Sequence, residues 1–176
     1  MILDREEIVS ALFRETDRAQ RMKMPLALIK VKIVTSGRSR TAPEATTFDA
    51  ALREIVERIT PHLRCYDAVG QMADREFLFV LPGCSLSNAR TLAERLRNEI
   101  FDALAPDFAA VMQFQACFGI ASSGGRTPFV VLREVDKALL SARAENADSI
   151  QCVAMEEDTD PAAFFLPVLQ DEALHW

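Results

Sequence analysis

The stretch Arg64-Cys65-Tyr66-Asp67-Ala68-Val69-Gly70-Gln71-Met72-Ala73-Asp74-Arg75-Glu76-Phe77-Leu78-Phe79-Val80-Leu81-Pro82 decides the fold. It holds two short strand-like runs, about 67–71 and 77–82, separated by a Met72-to-Glu76 turn, and reads as a hairpin. On both sides of it the pattern changes to helical spacing. Phe48, Leu52, Ile55, Val56 and Ile59 predict an amphipathic helix over 48–62, and Leu86, Ala89, Ala93, Leu96 and Ile100 predict another. Further out, Leu26 to Val34 reads as a buried strand rich in Leu, Ile and Val. Asp4 with Glu7 forms a capping-box pattern that opens a helix to about Arg21. Met112 to Ser122 is a strand, Thr127-Pro128 opens a helix to about Asn146, and Ile150 to Met155 closes the sheet. Layer logic then gives one sheet covered by helices, a two-layer domain of α+β class.

Composition narrows the function classes. The chain has 176 residues, 49% of them apolar, enough for one domain with a sizeable core. Its net charge of -6 gives no general attraction for nucleic acid or anionic membrane. The apolar runs are too short to span a bilayer, and no leader pattern is read, so a cytoplasmic protein without membrane insertion is expected. Four dispersed cysteines suit reduced thiols, and two histidines argue against a zinc site. The domain is expected over 1–155. A tail over 156–176 carries Phe164, Phe165, Leu166, Leu169 and Trp176, and its apolar content suits an extension that covers the core, with a homodimer contact as the alternative.

Along residues 4–153 the spacing of these segments resembles a GGDEF domain, the domain of diguanylate cyclases. The hairpin quoted above resembles the family's signature hairpin, with Ala73, Asp74, Arg75, Glu76 and Phe77 at the five signature positions. Cys117-Phe118-Gly119-Ile120-Ala121 is similar to the family's Ser-x-Gly-x-Ala strand. Asp136-Lys137-Ala138-Leu139 through Arg143 is similar to its Asp-x-Ala-Leu-Tyr-x-Ala-Lys helix. The resemblance implies a ferredoxin-like palm of the nucleotidyl-cyclase type, with a central antiparallel sheet flanked by helices.

It also implies where activity would reside, and there the residues depart from the pattern. Lys32 and Val34 stand where the first strand carries two aspartates, and Arg75 stands at the acidic third signature position. Magnesium takes hard oxygen ligands, which cations cannot supply. Arg40 falls on a guanine-contacting asparagine, whereas Asp49 retains the other guanine-contacting acid. No enzyme activity and no bound magnesium are therefore expected. Lys32 and Arg75 are expected to form ion pairs with Asp74 or Glu76.

The family's inhibitory Arg-x-x-Asp pattern, five residues ahead of the signature, is present as Arg64 and Asp67, and counting places Arg95 as its helix arginine. An arginine fork binds a phosphate or the O6/N7 edge of guanine, and an aspartate accepts from guanine N1 and N2. The expected ligand is cyclic di-GMP, and the expected role is a receptor that relays occupancy to an unidentified protein partner. The alternative is a nucleotide-independent interaction or dimerisation module on the same fold. Within the site, Tyr66 is expected to pack in the hairpin and Cys65 to be a bystander.

Overall fold

The computed structural model of the chain describes residues 2–36, 54–55, 57–98, 113–145 and 149–153. Arg40, Asp49 and the 156–176 tail lie outside these residues. Helix α1 (Arg5–Met22) starts at Asp4, whose side chain accepts from the Glu7 N–H while Glu7 returns the bond to the Asp4 N–H. It stops at Lys23, which takes the left-handed conformation (φ 52°). Strand β1 (Leu26–Ser36) follows. Residues 54–55 and 57–59 are helical and run into a 3-10 turn, Thr60–His62, which covers the end of the expected 48–62 helix. The hairpin comprises β2 (Ala68–Ala73) and β3 (Glu76–Pro82). Then come α2 (Leu86–Leu96), β4 (Gln113–Ser122), α3 (Pro128–Glu145) and β5 (Ile150–Cys152).

The five strands form one sheet in the order β2-β3-β1-β4-β5. The first four are mutually antiparallel, as expected, and the short β5 adds a parallel edge against β4. At the opposite edge Leu3 pairs with β2: its N–H donates to the Val69 carbonyl at 2.9 Å and its carbonyl accepts from the Gln71 N–H at 3.0 Å. The hairpin turn is tighter than the sequence suggested. Asp74 and Arg75 alone make it, with Arg75 at φ 59° and a register irregularity between Gln71 and Ala73.

Helices cover both faces, so the two-layer expectation is corrected to three. Ala27, Ile29, Val31, Phe77, Phe79, Phe118 and Ile120 face Ile55, Ile59, Ala89, Ala93 and Leu96. On the other face Leu26, Leu28, Leu78, Val80 and Ala121 face Ile8 and Leu12 of α1 and Val131 and Val135 of α3. The physical sign was present in β3, where five consecutive residues from Phe77 to Leu81 are buried. Unbroken apolar runs of this kind belong to strands covered on both sides.

Gly119 sets how closely α3 approaches β4. A Cβ at this position would lie 2.4 Å from the Leu139 nitrogen and 2.5 Å from the Val135 carbonyl oxygen, both backbone atoms of the helix. Gly119→Ala is therefore expected to push α3 off the sheet and cost about 1–3 kcal/mol, as overpacked cores do. Urea unfolding of the variant beside the parent checks this.

Candidate functional site

The two ends of the hairpin carry different chemistry. At its turn end, β1 alternates so that Lys30 and Lys32 continue the face of Leu26 and Leu28. The register pairs Lys32 with Glu76. Lys32 Nζ lies 3.1 Å from Glu76 Oε1 and donates to the Asp74 carbonyl at 3.0 Å. Lys30, only 8% exposed, places its Nζ 3.5 Å from Glu76 Oε2 and 2.5 Å from Asp136 Oδ1 on α3. One carboxylate thus carries an ammonium on each oxygen. Arg75 Nε is 3.6 Å from Asp74 Oδ2, and the Arg75 carbonyl accepts from the Ile33 N–H at 2.9 Å. The expected ion pairs of Lys32 and Arg75 are thus both present.

Lys30 and its contact with Asp136 were missed in the sequence. The signal was a lysine set between Ile29 and Val31, two residues ahead of Lys32 in the same strand, a charge that a covered sheet tolerates only when it is paired. Burial pushes the Glu76 carboxyl up, but the Lys32 hydrogen bond and the charges of both lysines outweigh it and hold the group below the usual carboxylate range. Among the described residues, no three of His, Cys, Asp and Glu gather to hold a metal ion.

The other end of the hairpin is a short turn. The Arg64 N–H donates to Asp67 Oδ2 at 2.8 Å, and the Asp67 N–H returns a bond to the Arg64 carbonyl at 3.0 Å. What joins these residues is main-chain capping, so the Asp67 carboxylate and the Arg64 guanidinium are not locked together. Asp67 is half-buried, and burial raises its pKa against the Arg64 N–H and charge, which oppose the shift. Beneath the turn, burial together with the Asp67 charge pushes the Cys84 thiol up. Arg64 is exposed, and its Nη1 donates to the Tyr66 hydroxyl at 3.1 Å. Tyr66 is 51% exposed, so the expectation that it packs in the hairpin is corrected. Arg95, from the last turn of α2, reaches the His62 carbonyl at 3.4 Å, two residues ahead of Arg64. The structure therefore brings Arg95 to the segment that carries Arg64 and Asp67. Ala73, Asp74 and Glu76 stay at the opposite end of β2.

At pH 7, Glu76→Gln is expected to cost about 2–3 kcal/mol, less than breaking a fully buried pair because the side chain keeps 21% exposure. The Glu76 pKa is lower in the folded chain than its ordinary 4.5. The stabilisation is therefore complete above 4.5 and is lost as the pH falls through the depressed folded value. Urea unfolding of parent and variant at pH 7 and pH 3 checks this: the gap between them should narrow at the lower pH.

No curated protein matches the chain. Among solved structures, it superimposes on diguanylate cyclase SiaD from Pseudomonas aeruginosa, solved in complex with its activator SiaC, with a TM-score of 0.72 and 23% identity. That match covers 86% of this chain and 58% of SiaD, so the chain spans less than two thirds of that relative. The active GGEEF domain of a diguanylate cyclase from Vibrio cholerae matches with a TM-score of 0.73 and 18% identity, over 88% of this chain and 99% of that one. The GGDEF domain of DgcB from Caulobacter crescentus, solved in complex with c-di-GMP, gives 0.71 and 15%, over 86% and 91%. The family described as diguanylate cyclase, GGDEF domain, matches residues 45–149, more than half of the chain. With the sheet, the paired helices and the hairpin all in place, the chain belongs to the GGDEF domain family.

Proposed function

We propose that this GGDEF domain makes no cyclic di-GMP and instead binds it, through Arg64, Asp67 and Arg95, and passes the signal to a protein partner. The observation that carries this reading is the contrast between the hairpin ends. At the turn end both Glu76 oxygens face ammonium groups. A divalent cation would meet Lys30 and Lys32 there, and cationic side chains repel it. The residues present do not fit magnesium, and no step of a cyclisation is assigned to them.

At the other end, an exposed guanidinium lies beside a half-buried carboxylate whose pKa is raised. Such a carboxylate gains from any donor pair that reaches it, and guanine N1–H and N2–H are such a pair. Arg64 supplies a fork for phosphate or for guanine O6/N7, and Arg95 adds a second positive charge at the same end. Solved relatives of this fold include one bound to c-di-GMP and one bound to an activator protein, which supports both the ligand and a protein partner. Among the described residues, no helix is long and apolar enough to cross a membrane. A second reading, a nucleotide-independent interaction module, is favoured by one observation. Phe13 and Phe129 form an exposed edge-to-face pair, with ring centroids 5.1 Å apart and Phe129 69% exposed.

Calorimetry with cyclic di-GMP in magnesium-free buffer separates the two. The receptor reading expects binding, weakened roughly 10- to 100-fold by Arg64→Ala and by Arg95→Ala; the interaction-module reading expects no heat. Incubation with GTP and magnesium or manganese is expected to yield no dinucleotide. Between pH 7 and an acid pH binding is also expected to weaken, because the raised pKa of Asp67 brings on its uncharged form, with less acceptor capacity, at higher pH than in an ordinary carboxylate. Asp67→Asn should bind less tightly and lose that pH dependence, as titrations at the two pH values would reveal.

A further inference from the structure

Tyr66 is the only tyrosine of the chain, and it stands inside the Arg64–Asp67 turn. Its ring forms part of the wall of a cleft of about 340 Å³, together with Met24, Pro25, Pro82 and Ala19 of α1. The Arg64 guanidinium carbon lies 5.8 Å from the ring centroid, and Nη1 donates to the hydroxyl at 3.1 Å. Among the described residues, Tyr66 provides the side-chain hydrogen bond that Arg64 makes.

From this geometry we infer that Tyr66 is the positioning residue for Arg64 in ligand binding; the inference rests on the receptor reading above. A free arginine side chain loses much rotamer freedom when it is fixed against a ligand, and that loss opposes binding. Tyrosine has only two side-chain torsions and a rigid ring, so it anchors at low entropic cost. The hydroxyl occupies Nη1 and leaves the Nε–Nη2 edge for the ligand. That edge carries two parallel N–H donors and suits two adjacent acceptors, as on a phosphate or on guanine O6/N7. The hydroxyl meets the guanidinium at its edge, with the ring centroid 5.8 Å from the guanidinium carbon, which leaves a guanidinium face for a base to stack. Tyr66 therefore favours a purine with paired acceptors over a base that offers only one.

The test uses the full chain and cyclic di-GMP, by calorimetry, on the parent, Tyr66→Phe, Arg64→Lys and the double variant. Tyr66→Phe keeps the ring and removes the hydroxyl. It is expected to weaken binding roughly 3- to 10-fold with an unchanged melting temperature. In the Arg64→Lys background the same change is expected to have less than about a twofold effect, because the two residues act as one unit. In ligand-free protein carrying ring-labelled tyrosine, the single ring signal is expected to shift on Arg64→Lys. If the parent binds and Tyr66→Phe binds equally well, or loses the same factor in both backgrounds, the inference is overturned and the receptor reading stands. An unmoved ring signal likewise overturns it. If the parent does not bind, both fall together.

Discussion

The Glu76 carboxylate is shared between two lysines of the neighbouring strand, and much of the fold depends on that arrangement. Lys30 is almost entirely withdrawn from water in mid-strand, a placement tolerated only when its ammonium is paired. Its partners are Glu76 on β3 and Asp136 on α3, so a single cation ties two strands of the sheet to the helix above them. The pairing also fixes register. Sliding β1 by one residue would turn Lys30 and Lys32 toward the apolar layer formed by Phe79, Phe118 and Leu96 and would carry Ile29, Val31 and Ile33, which alternate with them, out of that layer.

The hairpin also holds its two ends apart. Asp67 and Asp74 bracket β2, and at strand rise they lie about 20 Å apart. Charge changes at the turn end therefore have little electrostatic reach to the Arg64 end in ordinary salt, where screening acts over about 8–10 Å. The proposed reading, no cation ligands at one end and an anion-binding turn at the other, is compatible with that separation. The core on both faces is shared by the two ends, so the scaffold that carries the turn does not depend on any catalytic chemistry.

Much of this was legible in the sequence for identifiable reasons. The Asp4–Glu7 box, the two strand runs of the hairpin and the helical spacing of Leu86 to Leu96 are local signals, and the structure reproduces them. Lys32 and Arg75 were read as ion-paired, and they are. Three features needed tertiary information. Coverage of both sheet faces depends on where helices dock, although the unbroken burial of β3 hinted at it. Lys30 was read as part of a strand, because its counter-charge on Asp136 is 106 residues away. Tyr66 was read as packed because an aromatic residue in a hairpin usually is, yet the turn leaves it half in solvent beside Arg64. Arg40 and Asp49, which the family resemblance sets at guanine-contacting positions, lie outside the described residues.

The central claim is that the ligand-holding end of the hairpin is intact while the opposite end is closed by its own charges. A crystal structure of the chain grown with cyclic di-GMP and magnesium tests it most directly. The account predicts the dinucleotide against Arg64, Asp67 and Arg95, with Glu76 still held by Lys30 and Lys32. A nucleotide or metal ion seated on Glu76, or the dinucleotide absent from the Arg64 turn, would contradict it.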